Sequence, residues 1–158
     1  MTETPELTNR DLSITRVIDA PAHKLFAAWT QPELITQWFT PAPYTTPHAE
    51  TDLRPGGSSL IVMRSPEGQL IENRGVYLEF VQDQKIVFTD AYTSAWIPSE
   101  KPFFTGTITF EDLGNNTTRY TARATHWTME DRDAHEKMGF EPGWNAAADQ
   151  LEALVKRI

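Results

Sequence analysis

The segment from His48 to His126 alternates short stretches of period-two hydrophobicity with strong turn signals, and this pattern constrains the fold more than any other feature. Stretches such as SLIVMR, KIVFTDAY and TTRYTARATH alternate apolar with polar residues, as expected for strands with one buried face. The turns PGGS, SPEGQ, VQDQ and LGNN separate the stretches, because glycine, proline and asparagine favour tight reversals. The segment predicts six antiparallel strands, and the stretch from Asp11 to Ile18 predicts a seventh.

Helical signals flank this strand region. DAPAHKLFAAWT predicts a short helix that Asp19 caps, with Pro21 in its first turn. QPELITQWF predicts a second short helix, and THWTMEDRDAHEKM a third, with Thr128 and Asp131 at capping-box spacing. After a Gly-Phe-Glu-Pro-Gly break, GWNAAADQLEALV predicts a long amphipathic helix. Its apolar stripe comprises Trp144, Ala147, Ala148, Leu151, Leu154 and Val155.

These elements predict an α+β fold, because a sheet with one apolar face must bury that face against a helix. The expected arrangement is a curved seven-stranded antiparallel sheet around the long C-terminal helix, with two short helices after the first strand. Residues 1–10 are predicted to form a flexible N-terminal tail, and residues 11–158 a single domain. A chain of 158 residues has the usual length of one domain.

Charge and composition exclude several classes of protein. The net charge of -8 and the lack of a basic stripe argue against nucleic acid as a partner. No apolar run approaches the roughly 20 residues that span a bilayer, so membrane insertion is not expected. The chain has no cysteine, which excludes thiol nucleophiles and cysteine-bound zinc. The polar opening MTETPELTNRD lacks the features of a secretory signal, so we expect a cytoplasmic protein.

The inward face of the last two strands leaves two interpretations open. Period two places Phe104, Gly106, Ile108 and Phe110 on one face of the sixth strand, and Tyr120, Ala122, Ala124 and His126 on one face of the seventh. The small residues in the middle either let the helix pack closely on the sheet or leave a cavity. An empty void of about 400 Å³ would cost about 10 kcal/mol. A cavity here would therefore hold water or a ligand.

The candidate ligand-binding residues lie near element ends or on the predicted inward face. Met138 and Phe140, beside Gly139 and Gly143, predict a mobile entrance. Contacts to an apolar ligand are assigned to Trp38, Tyr92, Trp96, Phe104, Met138, Phe140 and Trp144, and orientation of its polar groups to Asp90, Tyr120 and His126.

Asp90 and His126 are also the candidates for catalysis, since a carboxylate and a histidine that reach one cavity can perform acid–base chemistry. In the alternative interpretation, Asp90 hydrogen-bonds a turn and His126 caps a strand end. Ligand binding without obligatory chemistry is favoured. No cofactor and no metal site are predicted, because a solvated helix face explains the four-residue spacing of His126 with Glu130 and of Asp131 with His135.

Four segments together resemble the START-like (SRPBCC) superfamily, in its branch of activator of heat-shock-protein-90 ATPase homologues. They are ITRVIDAPAHKLFAAWTQPELITQWF, DLRPGGSSLIVMRSPEGQLIENRGVYLEF, KIVFTDAY and MGFEPGWNAAADQLEAL. The resemblance extends from about Leu12 to Leu154. It implies the helix-grip fold, with a hydrophobic cavity between the sheet and the terminal helix.

The resemblance also implies a range of functions. Related proteins bind lipids, polyketides and other apolar molecules, some catalyse cyclisation or hydrolysis, and bacterial members are mostly of undefined function. Two features depart from the family pattern. Trp38-Phe39-Thr40-Pro41 stands where Trp-Trp-Gly-Pro is common. The additional N-terminal domain of the eukaryotic co-chaperones has no counterpart here, which argues against chaperone activation. A cyclase- or hydrolase-type enzyme and a co-chaperone-like protein-binding module remain the alternatives.

Overall fold

The computed structural model of the chain describes residues 6–158, and this part of the chain contains four helices and nine strands. The helices are α1 (Ala22–Thr30), α2 (Pro32–Ile35), α3 (Met129–Lys137) and α4 (Phe140–Val155). The strands are β1 (Asp11–Ile18), β2 (Thr45–Thr51), β3 (Ser58–Arg64), β4 (Leu70–Val81), β5 (Lys85–Thr89), β6 (Tyr92–Ser94), β7 (Ile97–Pro98), β8 (Phe104–Gly114) and β9 (Thr117–His126).

Seven strands form one antiparallel sheet in the order β1-β9-β8-β5-β4-β3-β2. The predicted seven-stranded sheet and the α+β helix-grip class are confirmed. The predicted end of the fifth strand is wrong, because β5 ends at Thr89 and Tyr92 belongs to a separate hairpin of β6 and β7. Between these strands, the carboxylate of Asp90 accepts hydrogen bonds from the start of β8, and the chain leaves the sheet.

The inward face of β8 and β9 has the predicted composition. Phe104 pairs with His126, Gly106 with Ala124, Ile108 with Ala122 and Phe110 with Tyr120. No bulge interrupts the strands between these pairs, so all eight residues point to one face. All except Phe104 are buried, and α1 and α4 cover this face.

Three predicted helix features can be compared with the structure. Thr128 caps α3 as predicted, since its hydroxyl oxygen accepts the N–H of Asp131 at 3.0 Å. Asp19 does not cap α1, whose N-cap is Pro21 without a side-chain hydrogen bond. The predicted break before the last helix is also too long. α4 begins at Phe140, because Gly139 alone adopts a left-handed φ of 96° and Pro142 is tolerated within a first helical turn.

Two polar side chains fix α4 against the rest of the molecule. Arg16 of β1 forms an ion pair with Asp149 at 2.7 Å and with Glu152 at 3.2 Å. On another side of the helix, Gln150 donates to the carbonyl oxygens of Trp38 and Thr40 at 2.7 and 2.8 Å. The side-chain amide oxygen of Gln150 accepts the N–H of Ala42 at 3.0 Å. The helix is therefore bound to the edge strand and to the segment after α2.

The predicted N-terminal tail is described only in part. Residues 1–5 lie outside the described residues. The carbonyl oxygen of Glu6 accepts a hydrogen bond from Arg123 at 2.8 Å, and Arg10 donates to the carbonyl oxygen of Trp127 at 3.3 Å. The division into a flexible tail and one domain stays a prediction.

Within residues 6–158, every helix is too short or too polar to cross a lipid bilayer.

Candidate functional site

A continuous series of ring contacts crosses the space between the sheet and the helices. Phe39 contacts Trp29, Trp29 contacts Phe88, Phe88 contacts Phe104, and Phe104 contacts Trp144, with ring centroids 5.7 to 6.2 Å apart. Trp29 is buried, whereas the other four rings pack on the core and remain partly exposed. We call Phe39, Phe88, Phe104 and Trp144 the aromatic row. They come from the segment after α2, from β5, from β8 and from α4.

Phe88 occupies the space that the small residues of β8 and β9 leave open. A Cβ atom added to Gly106 would lie 2.3 Å from the Phe88 ring. The two residues are direct cross-strand neighbours, and Phe88 also contacts Trp29. The small surface was predicted, but Phe88 was not among the predicted ligand contacts. The signal was present, since Phe88 and Ile86 alternate in phase with the inward face.

Trp144 and Phe140 form the helix side of the row. Their rings stack with centroids 5.0 Å apart, and Trp144 meets the edge of Phe104 at 6.1 Å. Phe140 is buried in the first turn of α4 and not part of an irregular entrance segment. Trp144 is only partly buried, so part of this residue remains accessible.

Trp38 and Tyr120, two other predicted ligand contacts, are core residues. The indole N–H of Trp38 donates to the carbonyl oxygen of Ala28 at 2.9 Å, and Trp38 is 3% exposed. The phenol oxygen of Tyr120 accepts the indole N–H of Trp29 at 3.1 Å. Burial raises the pKa of the Tyr120 phenol, which keeps it neutral. Both residues contact Trp29, and Trp38 also contacts Phe39 of the row.

Asp90 is engaged in a backbone role. One carboxylate oxygen accepts the N–H groups of Phe103 and Phe104 at 2.8 and 3.2 Å. Burial raises the pKa of Asp90, the two backbone hydrogen bonds oppose this effect, and the charge of Asp131 adds to it. Asp90 thus fixes the start of β8 and the position of Phe104.

His126 faces inward and forms a buried pair with His135 of α3. Nε2 of His126 lies 2.8 Å from Nδ1 of His135, and Nδ1 of His126 lies 2.8 Å from the carbonyl oxygen of Arg10. The interpretation of His135 as part of a solvated helix face is wrong, since it is the buried residue of α3. The rings of Phe103, Phe104 and Phe140 surround it at 4.9 to 5.3 Å. Its apolar surroundings were not visible in the polar sequence of α3.

Burial and the neighbouring His126 lower the pKa of His135 to about 4. The imidazole is therefore neutral at pH 7. Within residues 6–158, no group of three or more histidine, aspartate or glutamate side chains is arranged to hold a metal ion.

The remaining predicted contacts lie apart from the aromatic row. Tyr92 and Trp96 contact each other at 5.5 Å on the β6–β7 hairpin, and Trp96 is 63% exposed and lies against Gly56. Met138, the C-cap of α3, is 75% exposed. The structure therefore joins Phe104, His126, Phe140 and Trp144 of the predicted set, with Asp90 linked through the backbone. It adds Phe39, Phe88 and His135.

Two surface depressions accompany this interior. One of about 230 Å³ lies beside the start of α4 and is lined by Leu12, Phe140 and Pro142 among others. The other, of about 130 Å³, lies on the opposite face of the sheet, between threonines of β1, β8 and β9. Only the first depression is lined by a predicted ligand-binding residue, Phe140.

Comparison with known proteins agrees with the fold. Residues 19–156 match the family described as Activator of Hsp90 ATPase homolog 1-like protein. A solved structure from Nitrosomonas europaea shares 35% identity over 96% of this chain and 97% of its own, with a TM-score of 0.91. A structure from Staphylococcus epidermidis shares 27% identity over 98% and 94%, with a TM-score of 0.76.

A third structure, from Rhodobacter sphaeroides, is 18% identical and has a TM-score of 0.83, with 98% of this chain and 97% of its own covered. At this identity the likeness concerns the fold alone. A search among curated proteins gives no match. The family match covers most of the sequence, and the chain therefore belongs to the Activator of Hsp90 ATPase homolog 1-like family, a branch of the START-like (SRPBCC) superfamily.

Proposed function

We propose that this protein binds a small apolar or aromatic molecule against the aromatic row, between the sheet and α4. The observation that carries the proposal is the partial exposure of four rings that pack directly on the core. Aromatic side chains that pack on a core usually bury most of their surface, because each removes a large apolar area from water, and four neighbouring rings that stay accessible can make further apolar contacts. Membership of a family whose fold serves hydrophobic ligand binding supports the same function.

The chemistry of the row favours a planar, apolar ligand. Aromatic rings bind other rings in stacked or edge-to-face arrangements, and Trp144, which stacks on Phe140, is still partly exposed. Polar groups are few around it, as is typical of sites in which apolar contacts give affinity. Catalysis by Asp90 and His126 and co-chaperone-like protein binding stay predictions.

Nuclear magnetic resonance can test this proposal with naphthalene as the probe. The five tryptophans give five indole N–H signals, which Trp144→Phe and Trp127→Phe variants assign. We expect naphthalene to shift the signal of Trp144 most, because ring-current effects are local. The signal of Trp127, which is 53% exposed and outside the core cluster, serves as the control. Shifts confined to Trp127 or Trp96, or no shifts at all, would contradict binding at the row.

A further inference from the structure

The pair of His126 and His135 connects the aromatic row to a polar atom. The imidazole of His135 contacts Phe104 of the row, with ring centroids 5.3 Å apart, and Phe104 contacts Trp144. His135 is 9% exposed. Its Nδ1 bonds to His126, whereas its Nε2 forms no hydrogen bond with any of residues 6–158. Because it is not among the fully enclosed side-chain atoms that lack a partner, this nitrogen remains accessible to a bound molecule, although the rings around His135 are apolar.

The protonation of each nitrogen follows from counting protons along the chain of hydrogen bonds. The carbonyl oxygen of Arg10 can only accept, so Nδ1 of His126 carries a hydrogen. The contact between Nε2 of His126 and Nδ1 of His135 needs one further hydrogen between them. A neutral pair has two ring hydrogens in total, and both are now placed. Nε2 of His135 is therefore a bare hydrogen-bond acceptor whenever the pair is neutral.

We infer that Nε2 of His135 selects the ligand, by accepting a hydrogen bond from a hydroxyl or N–H group on a neutral aromatic molecule. The inference rests on the proposed function, because the aromatic row would hold the ring of that molecule. A ring bound against Phe104 would be close to the imidazole, because the Phe104 and His135 ring centroids are 5.3 Å apart. An aromatic alcohol satisfies the nitrogen, whereas an aromatic ether leaves it unpaired, and an unpaired polar group lowers affinity.

One added proton removes this selectivity. The first two hydrogen positions stay occupied, so the third hydrogen must reside on Nε2 of His135, which then becomes a donor. The lowered pKa of His135 agrees with a neutral His135 imidazole at pH 7.5. The charged side chains on the surrounding elements include those of Arg10, Asp11, Asp90, Arg123, Asp131, Arg132, Glu136 and Glu141. Asp11 and Arg123 are paired with each other, and Arg132 with Glu136.

Three probes of one size test the inference: naphthalene, 2-naphthol and 2-methoxynaphthalene. At pH 7.5 we expect the intact protein to bind 2-naphthol about five- to tenfold more tightly than the ether, the usual effect of one hydrogen bond. As the pH is lowered towards 4.5, this ratio should fall, because a protonated Nε2 donates to either oxygen.

The matched variant is His135→Asn. Its amide N–H can still donate to His126 from the position of Nδ1, but the outer nitrogen is absent. We expect it to lose the preference for 2-naphthol over the ether, whereas His23→Asn on the exposed side of α1 retains that preference and binds naphthalene as the wild type does. If all three probes bind and the preference is absent or survives in His135→Asn, the inference is wrong and the proposed function stands. If no probe binds, both fail.

A ligand-free measurement keeps the inference testable if the variant does not fold. Nitrogen-15 chemical shifts of the histidine rings distinguish a bare from a protonated nitrogen. In the wild-type protein we expect a bare Nε2 on His135 at pH 7.5 that gains a proton on acidification. A protonated Nε2 at pH 7.5 would overturn the proton count.

Discussion

Gly106 shows how one missing side chain shapes the interior. Its absent Cβ is what allows the outer end of the Phe88 ring to approach β8, at a distance where a methyl group would clash. The sequence indicated a small inward surface there. The two interpretations of that surface, close packing of the helix or a cavity beneath it, both concerned only the helix that faces the sheet. The ring of the neighbouring strand fills part of the space, because cross-strand partners on one face lie close together.

Gly106→Ala should destabilise the protein by about 1 to 3 kcal/mol, since overpacking forces the Phe88 ring from its position. Urea denaturation at pH 7.5 measures the change. Gly143→Ala is the matched control, because no atom lies within 4 Å of the added methyl group and its φ is not left-handed. Alanine is also the better helix former, so the control should be neutral or stabilising by up to about 1 kcal/mol. Equal stability of the two variants would contradict this account.

Gln150 gives a second prediction for a single residue. Gln150→Ala removes the hydrogen bonds to Trp38, Thr40 and Ala42, and we expect a loss of roughly 1 to 3 kcal/mol in the free energy of unfolding. Gln37→Ala, at an exposed glutamine of the segment after α2, should change stability by less than about 0.5 kcal/mol. A Gln150→Ala protein as stable as the control would show that these bonds do not hold α4.

Among the elements, α3 is the helix whose packing against the sheet could not be predicted from the sequence. Its residues are almost all charged or small, which is typical of a solvated helix, and its cap was predicted correctly from Thr128. The helix is nevertheless held to the sheet by His135, whose ring lies among three phenylalanines. Period and composition cannot reveal such a contact, because its partners are brought there by the β8 strand and by α4.

The lowered pKa of His135 predicts that acid weakens the fold. The unfolded chain binds a proton near the ordinary value of 6.5, whereas the folded chain binds it only near 4. The contribution to stability is therefore complete above pH 6.5 and is lost as the pH falls towards 4. The maximal slope is about 1.4 kcal/mol per pH unit. From pH 6.5 to 5 we expect a loss of up to about 2 kcal/mol in urea denaturation.

His135→Asn provides the comparison, since it lacks this titrating group. Burial opposes ionisation of Asp11, but hydrogen bonds from Thr125 and Thr8 and the ion pair with Arg123 prevail and lower its pKa, so its contribution falls away only at more acidic pH. The raised pKa of Asp90 acts in the opposite direction and is common to both proteins. The same pH dependence in wild type and variant would contradict the assignment to His135.

For the whole molecule, local patterns were sufficient to predict the fold class. Seven strands, the two short helices after β1 and the long terminal helix follow from periodicity, and the fold agrees with that of the solved structure from Nitrosomonas europaea. The site was predicted less completely. The contact between Phe104 and Trp144 agrees with the prediction, because the inward face of the strand and the apolar stripe of the helix were both assigned correctly. Tyr92 and Trp96 lie on the separate β6–β7 hairpin, away from the aromatic row. Their position was not predicted, because the chain leaves the sheet at Asp90 without any change in the hydrophobic period.

The order of the strands in the sheet also bears on how the chain reaches this structure. β1 is made first, and its sheet partner is β9, with Asp11 opposite Thr125 and Ile18 opposite Thr118. Partners about 100 residues apart raise the contact order, and such pairings close late and slowly. On the ribosome, the first strand must therefore wait for nearly the whole polypeptide to emerge before its backbone groups find a partner.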